Sequence, residues 1–199
     1  MHRYLAIVLA VSISSTALGE EIPLKSIWAY NMPGTQDLAT LDDGQARGFL
    51  IDPIRKTLGK VSKSPDAGFL VQGVGLEALR NFYQVRVGGE EARTTFPAGD
   101  DLSLAFFSYH SSPYVHLHKV ERKGNEIIVR YRFAPHESRE LSEHFALIPL
   151  QDLKPGEYSV SVAQSPMAKM YIDQGFSPIP ESLGKKIVCK PFSFKITKQ

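Results

Sequence analysis

Leu153-Lys154-Pro155-Gly156-Glu157-Tyr158-Ser159-Val160-Ser161-Val162 is the stretch whose reading decides the fold. Pro155 presets φ and Gly156 tolerates φ > 0, so the pair supplies a turn. Val160 and Val162 then alternate with Ser159 and Ser161, the period of a strand with one face buried. Tyr158 enters that strand directly after the turn. Its hydroxyl is placed to bond back to the backbone of the corner it has just left, so the segment reads as a pivot between two strands.

Outward from this corner the chain has the same character. Strands are expected at Phe82–Val87, Asp101–Tyr109, Tyr114–Arg122, Glu126–Phe133, His144–Leu150, Glu157–Ala163 and Ile187–Thr197. Lys123-Gly124-Asn125 is the turn of a hairpin. Seven strands with local connections, one opening on a Tyr corner, predict a mainly β protein: an immunoglobulin-like antiparallel β-sandwich over residues 80–199. Residues 20–79 read as a short-helix or irregular N-terminal extension packed on it. Within the extension, Asp52-Pro53 through Gly59 has the N-cap, Pro at N1 and closing Gly of a short helix. Trp28, the one tryptophan, is expected to pack on the sandwich.

The chain begins with a basic His2-Arg3, an apolar Leu5–Val11 run and small residues before Gly19. This predicts a signal peptide over residues 1–19, hence an exported product, periplasmic or extracellular. The run is shorter than the roughly 20 apolar residues of a bilayer span, and no spanning run follows it. The formal net charge is +2 over 199 residues, and the leader carries one of the basic residues, Arg3. Near-neutrality argues against bulk nucleic-acid binding or adsorption to a membrane surface. Cys189 is the single cysteine, so no disulfide forms within the chain; an apolar strand there marks it as a small buried side chain.

Three groups of residues are candidates for function. His116 and His118 stand at i and i+2, on one face of a regular strand, with His110 at the end of the strand before. Three imidazoles suit zinc or copper. The alternative is a structural role, because a two-residue Gly124-Asn125 turn pairs His118 with Tyr131 and His116 with Phe133, near a core edge. Lys119, Arg130 and Arg132 share a face of the same hairpin, either a solvated outer face or a patch for carboxylated or sulfated polymer. The third group is the long insert 164–186, with Met167, Met170, Tyr171 and Phe176. Loops of this length inside a domain are commonly functional.

No catalytic motif accompanies them. His136-Glu137-Ser138-Arg139-Glu140 lacks the second His of a zinc-protease helix, and no serine lies in a Gly-x-Ser-x-Gly elbow. The reading is an exported, non-catalytic binding or structural module with an unidentified protein or polysaccharide partner. Recognition is expected through the insert. No cofactor is expected, unless the three histidines make it a metal-binding protein or metalloenzyme.

Lys25 to Thr35, Tyr131 to Phe133, His144 to Leu150 and the Pro155–Tyr158 corner together resemble a family of exported planctomycete-type proteins across most of the mature chain. The resemblance implies export and carries over no catalytic or binding residue.

Overall fold

The computed structural model describes residues 19–30, 32, 39–40, 67–86, 88–110, 114–135 and 142–198, and of 39, 40, 109, 110, 142 and 143 the backbone alone. The expected leader and the helix expected at 52–59 fall outside the described residues, apart from Gly19. Eleven strands are described: β1 Glu20–Glu21, β2 Trp28–Tyr30, β3 Ala39–Thr40, β4 Phe69–Gln72, β5 Thr95–Pro97, β6 Leu102–His110, β7 Tyr114–Lys123, β8 Glu126–Ala134, β9 Ser142–Leu150, β10 Gly156–Gln164 and β11 Phe192–Thr197. They form a six-stranded sheet, β1-β7-β8-β10-β11-β5, and a five-stranded sheet, β3-β2-β9-β6-β4. The protein is a mainly β sandwich. Its pairing is mixed, because β8–β10, β11–β5 and β2–β3 run parallel.

Residues ahead of position 80 supply β1 to one sheet and β2 and β4 to the other. Trp28 is half-buried in β2, its ring lying over Gly75. The expected domain boundary falls inside a helix, α1, Leu76–Arg86.

That helix is the main correction to the expected element list, since Phe82–Arg86 of the expected strand Phe82–Val87 is helical. Tyr83, Val85 and Val87 alternate only over a short window, whereas the helix buries Phe82, Val85 and Arg86. With Ala78 and Leu79 the buried set becomes 78, 79, 82, 85 and 86, the stripe of an amphipathic helix. Gly73 and Gly75, at φ 84° and 58°, turn the chain out of β4 into it. Phe82 stacks on Phe145 (4.8 Å) and meets Phe69 and Phe107, so α1 covers the outer face of the five-stranded sheet. On the other face, Phe106 meets Tyr131 of the opposing sheet at 6.0 Å. Leu102–Ser108 are consequently all buried, which is why Leu104–Phe107 reads as a continuous apolar run rather than an alternation.

The corner forms as its sequence predicts. Tyr158 Oη donates to the carbonyl of Lys154 and accepts from the amide of the same residue, each at 3.0 Å. Its ring stacks on Phe194 at 5.1 Å. Asp152, at φ 53°, makes the left-handed step that turns the chain.

The last expected strand is also shortened. Residues Glu181–Ile187 form a helix, and β11 begins at Phe192. Cys189 is buried, its amide on the carbonyl of Phe107 (3.0 Å), and burial pushes its thiol up to about 12. It is a packing residue, poorly disposed to form a thiolate.

Candidate functional site

The end of the sandwich opposite the corner gathers the C-terminal ends of β6, β8 and β10 with the N-terminal ends of β7 and β9. The hairpin β7–β8 closes on a two-residue turn, Lys123 facing Glu126. Val120 faces Val129 and Lys119 faces Arg130, but the next pairs are Leu117–Tyr131 and His116–Arg132. His118 is the extra residue of a β-bulge. The expected pairs, His118 with Tyr131 and His116 with Phe133, are therefore displaced by one residue.

The bulge changes what the histidines face. Val115, Leu117 and Val120 point into the core, while His116, His118 and Lys119 lie half-buried on the outer face of the six-stranded sheet. They do not share the face of Val120, Val129 and Tyr131. His118 reaches over β8 to β10, where Nδ1 lies 2.9 Å from Ser165 Oγ. Ser165 is the first residue after β10, so this bond ties the hairpin to the root of the insert. Burial holds the His116 imidazole below its usual range, assisted by His144 and Arg132. Burial also lowers His118, with Arg132, Arg130 and Lys119 acting in the same direction and Glu21 against it. Both rings are disposed to be neutral at pH 7.

The basic residues separate into two kinds. Lys119 Nζ lies 3.0 Å from Glu21 and 3.1 Å from Glu121, and Arg130 Nε donates to the same Glu121 at 3.0 Å. Hydrogen bonds from Arg130 and Lys119 hold the Glu121 carboxyl below its ordinary value. Arg122 pairs with Glu20 and donates to the carbonyl of Gln151. Two residues of the expected patch are thus neutralised by carboxylates in β1 and β7. Arg132 is different: among the described residues its Nε is buried without a hydrogen-bond partner, as is Nε2 of His116, the residue paired with it across the ladder.

Behind this face lies more buried polarity. His144 of β9 is fully buried and meets Tyr114 edge-on at 5.3 Å. Its ladder neighbour Ser108 carries an unpartnered hydroxyl. His110 closes β6 opposite Ser142, and its side chain lies outside the described residues. Among the described residues no three His, Cys, Asp or Glu are grouped to hold a metal ion. His116 and His118 are instead engaged separately, one across from Arg132 and one on Ser165.

The insert folds. It contains α2, Lys169–Asp173, and α3, Glu181–Ile187. Gln164 Nε2 donates to the carbonyl of Ile179 at 2.8 Å, closing its neck. Gly184 of α3 lies against Tyr131 and Phe133, where a Cβ would come within 2.8 Å of the Tyr131 hydroxyl. Burial pushes that hydroxyl up to about 12. Met167 and Tyr171 are half-buried, and the Tyr171 ring meets Phe176 edge-on at 6.5 Å. Met170 is 58% exposed, Ile172 47%, Phe176 45% and Leu183 42%. Ile172 and Leu183 were not among the expected contacts, because helix faces are legible only once the helices are placed.

At the corner end, an open cleft of about 580 Å³ is lined by Asp100, Asp101, Asp152, Lys154, Leu150 and Ile196, among others. Gln72 donates to Asp100 there at 2.9 Å. No protein-family model matches the chain, and no curated protein or solved structure matches it. No described helix is long and apolar enough to cross a membrane.

Proposed function

We propose that the protein is an exported, non-catalytic binding module that meets a partner protein through the insert 164–186. This reading also takes the chain as a member of the exported planctomycete-type family it resembles. The observation that carries the proposal is the placement of four large exposed apolar side chains, Met170, Ile172, Phe176 and Leu183, on this one folded segment. Isolated surface apolar residues need no explanation, but several on one segment mark contact surface. Methionine and phenylalanine are enriched where proteins meet, which favours a protein partner over a polysaccharide. The insert is held at its neck by Gln164 and Ser165, so it presents these groups from a preformed structure and loses less entropy on binding.

Photo-crosslinking in the producing cells tests this. A photoreactive residue is placed at Met170 or Phe176, with Ser159 and Ser193, exposed in β10 and β11, as controls. Discrete light-dependent adducts are expected from the two insert positions in the exported fraction, on a chain beginning at Glu20. Adducts from all four positions alike, or from none, would overturn the recognition reading. Retention of residues 1–19 inside the cell would overturn export.

A further inference from the structure

Every basic residue on the outer face of the β7–β8 hairpin for which the structure shows an ion pair meets a carboxylate: Lys119 and Arg130 meet Glu121, and Arg122 meets Glu20. Arg132 has no such partner among the described residues. Its Nε is shielded from solvent and donates to nothing, and the atom facing it across the ladder, His116 Nε2, is in the same condition. A buried polar nitrogen without a partner is costly, and two of them on one pair of facing residues indicate a missing common partner.

We infer that Arg132 and His116 are the seat of a single anionic group, a carboxylate or sulfate, gripped by the guanidinium fork and the imidazole N–H. Facing residues of an antiparallel pair carry their side chains on the same side, with Cβ atoms about 5 Å apart. That spacing lets a group of this size bridge them. The planar fork of Arg matches the paired oxygens of either anion. Both residues are half-buried, so the pair has a solvent-facing rim.

The surroundings favour negative charge. His116 feels Arg132 from β8 and His144 from β9. His118 feels Arg132 and Arg130 from β8, Lys119 on its own strand and Glu21 from β1. Glu21 and Glu121 are already committed to Lys119 and Arg130, leaving the Arg132 charge uncompensated beside two imidazoles. A bound anion supplies that compensation and permits His116 to take a proton, which adds a charge-assisted hydrogen bond. The inference does not depend on the insert's role.

The test follows the His116 ring resonances of the purified protein by NMR while sulfate replaces chloride at constant ionic strength. Saturable shifts are expected, with the His116 pKa moving up. Arg132→Gln should weaken binding about tenfold or more, while Arg130→Gln, which removes a cation already paired with Glu121, should leave it nearly unchanged. If Arg132→Gln does not fold, Arg132→Lys keeps the charge and loses the fork, and weaker binding is again expected. Absence of saturable shifts in the unaltered protein overturns the seat, as does equal loss from the Arg130 and Arg132 variants. Repeating the titration with acetate and with a sulfated disaccharide distinguishes the source. Equal affinity for free and sugar-borne groups assigns a small-anion seat, and tighter binding of the sugar assigns a site for one charged group of a polymer.

Discussion

At the corner end, Tyr158 both donates to and accepts from the backbone of Lys154. At the opposite end, Ser108, His116, Arg132 and Gln164 each carry a buried polar atom that meets no hydrogen-bond partner among the described residues. The same strands, β8, β9 and β10, run between these ends. Among the described residues, the difference shows which end satisfies its buried polar groups and which does not. Buried polar groups in native proteins are normally satisfied, so an end that leaves four of them open gives up stability that the corner end retains. Binding sites lie at such places, because the groups that would be satisfied internally are held for a ligand.

Substitutions can break this comparison, and the largest effect is expected at the corner. Tyr158→Ala removes a buried ring stacked on Phe194 together with both hydrogen bonds, and should cost about 3–5 kcal/mol in denaturant unfolding. A loss under about 1 kcal/mol would mean that the corner is not a clamp. Tyr158→Phe keeps the ring and should cost about 1 kcal/mol; an unchanged midpoint would transfer all of the corner's worth to packing.

The other end should answer acid before the corner does. His116 and His118 are held below the ordinary 6.5, so the unfolded chain takes up protons first. Their contribution to stability is intact above pH 6.5 and is lost as pH falls from there through their folded values. Melting temperature should drop in that window, with a shallower drop in His116→Gln. An identical profile in the variant would detach His116 from the effect.

The smallest effect, and opposite in sign, is expected for Arg132→Met. Removing a donor that meets no acceptor while keeping an apolar stem should leave stability unchanged or raise it by up to about 1 kcal/mol. A clear loss would show that Arg132 is a structural residue after all, and would remove the contrast between the two ends.

What could be read from the residues follows the same division. The corner was legible because all its parts lie between Lys154 and Tyr158, and turn chemistry is local. The hairpin turn at Gly124-Asn125 and the six longer strands from β6 to β11 are legible by period or turn residue, although β11 begins later, at Phe192, than its apolar pattern suggests. Strands of two to four residues, such as β1, β2 and β4, have no period to read. Phe82–Val87 reads as a strand because six residues fit both a period of 2 and a period of 3.6, and only the longer set from Ala78 decides for the helix. The site was harder still. Glu21 reaches Lys119 through a pairing of β1 with β7 that no spacing reveals, and a single bulge exchanged the partners of His116. An unpartnered nitrogen is a property of the assembled sheet, with no mark in the chain.

The bulge has a bearing on how this hairpin can change in length. Leu117 points inward, His118 and Lys119 both point outward, and Val120 points inward again. Deleting the His118 codon would join Leu117 to Lys119 and leave an unbroken alternation, with every core residue of β7 still in place. The same deletion at Val129, in the regular part of β8, would turn half a strand inside out. One imidazole and its bond to Ser165 are therefore an addition that the outer face of the six-stranded sheet can gain or lose in a single step, while the fold beneath stays the same.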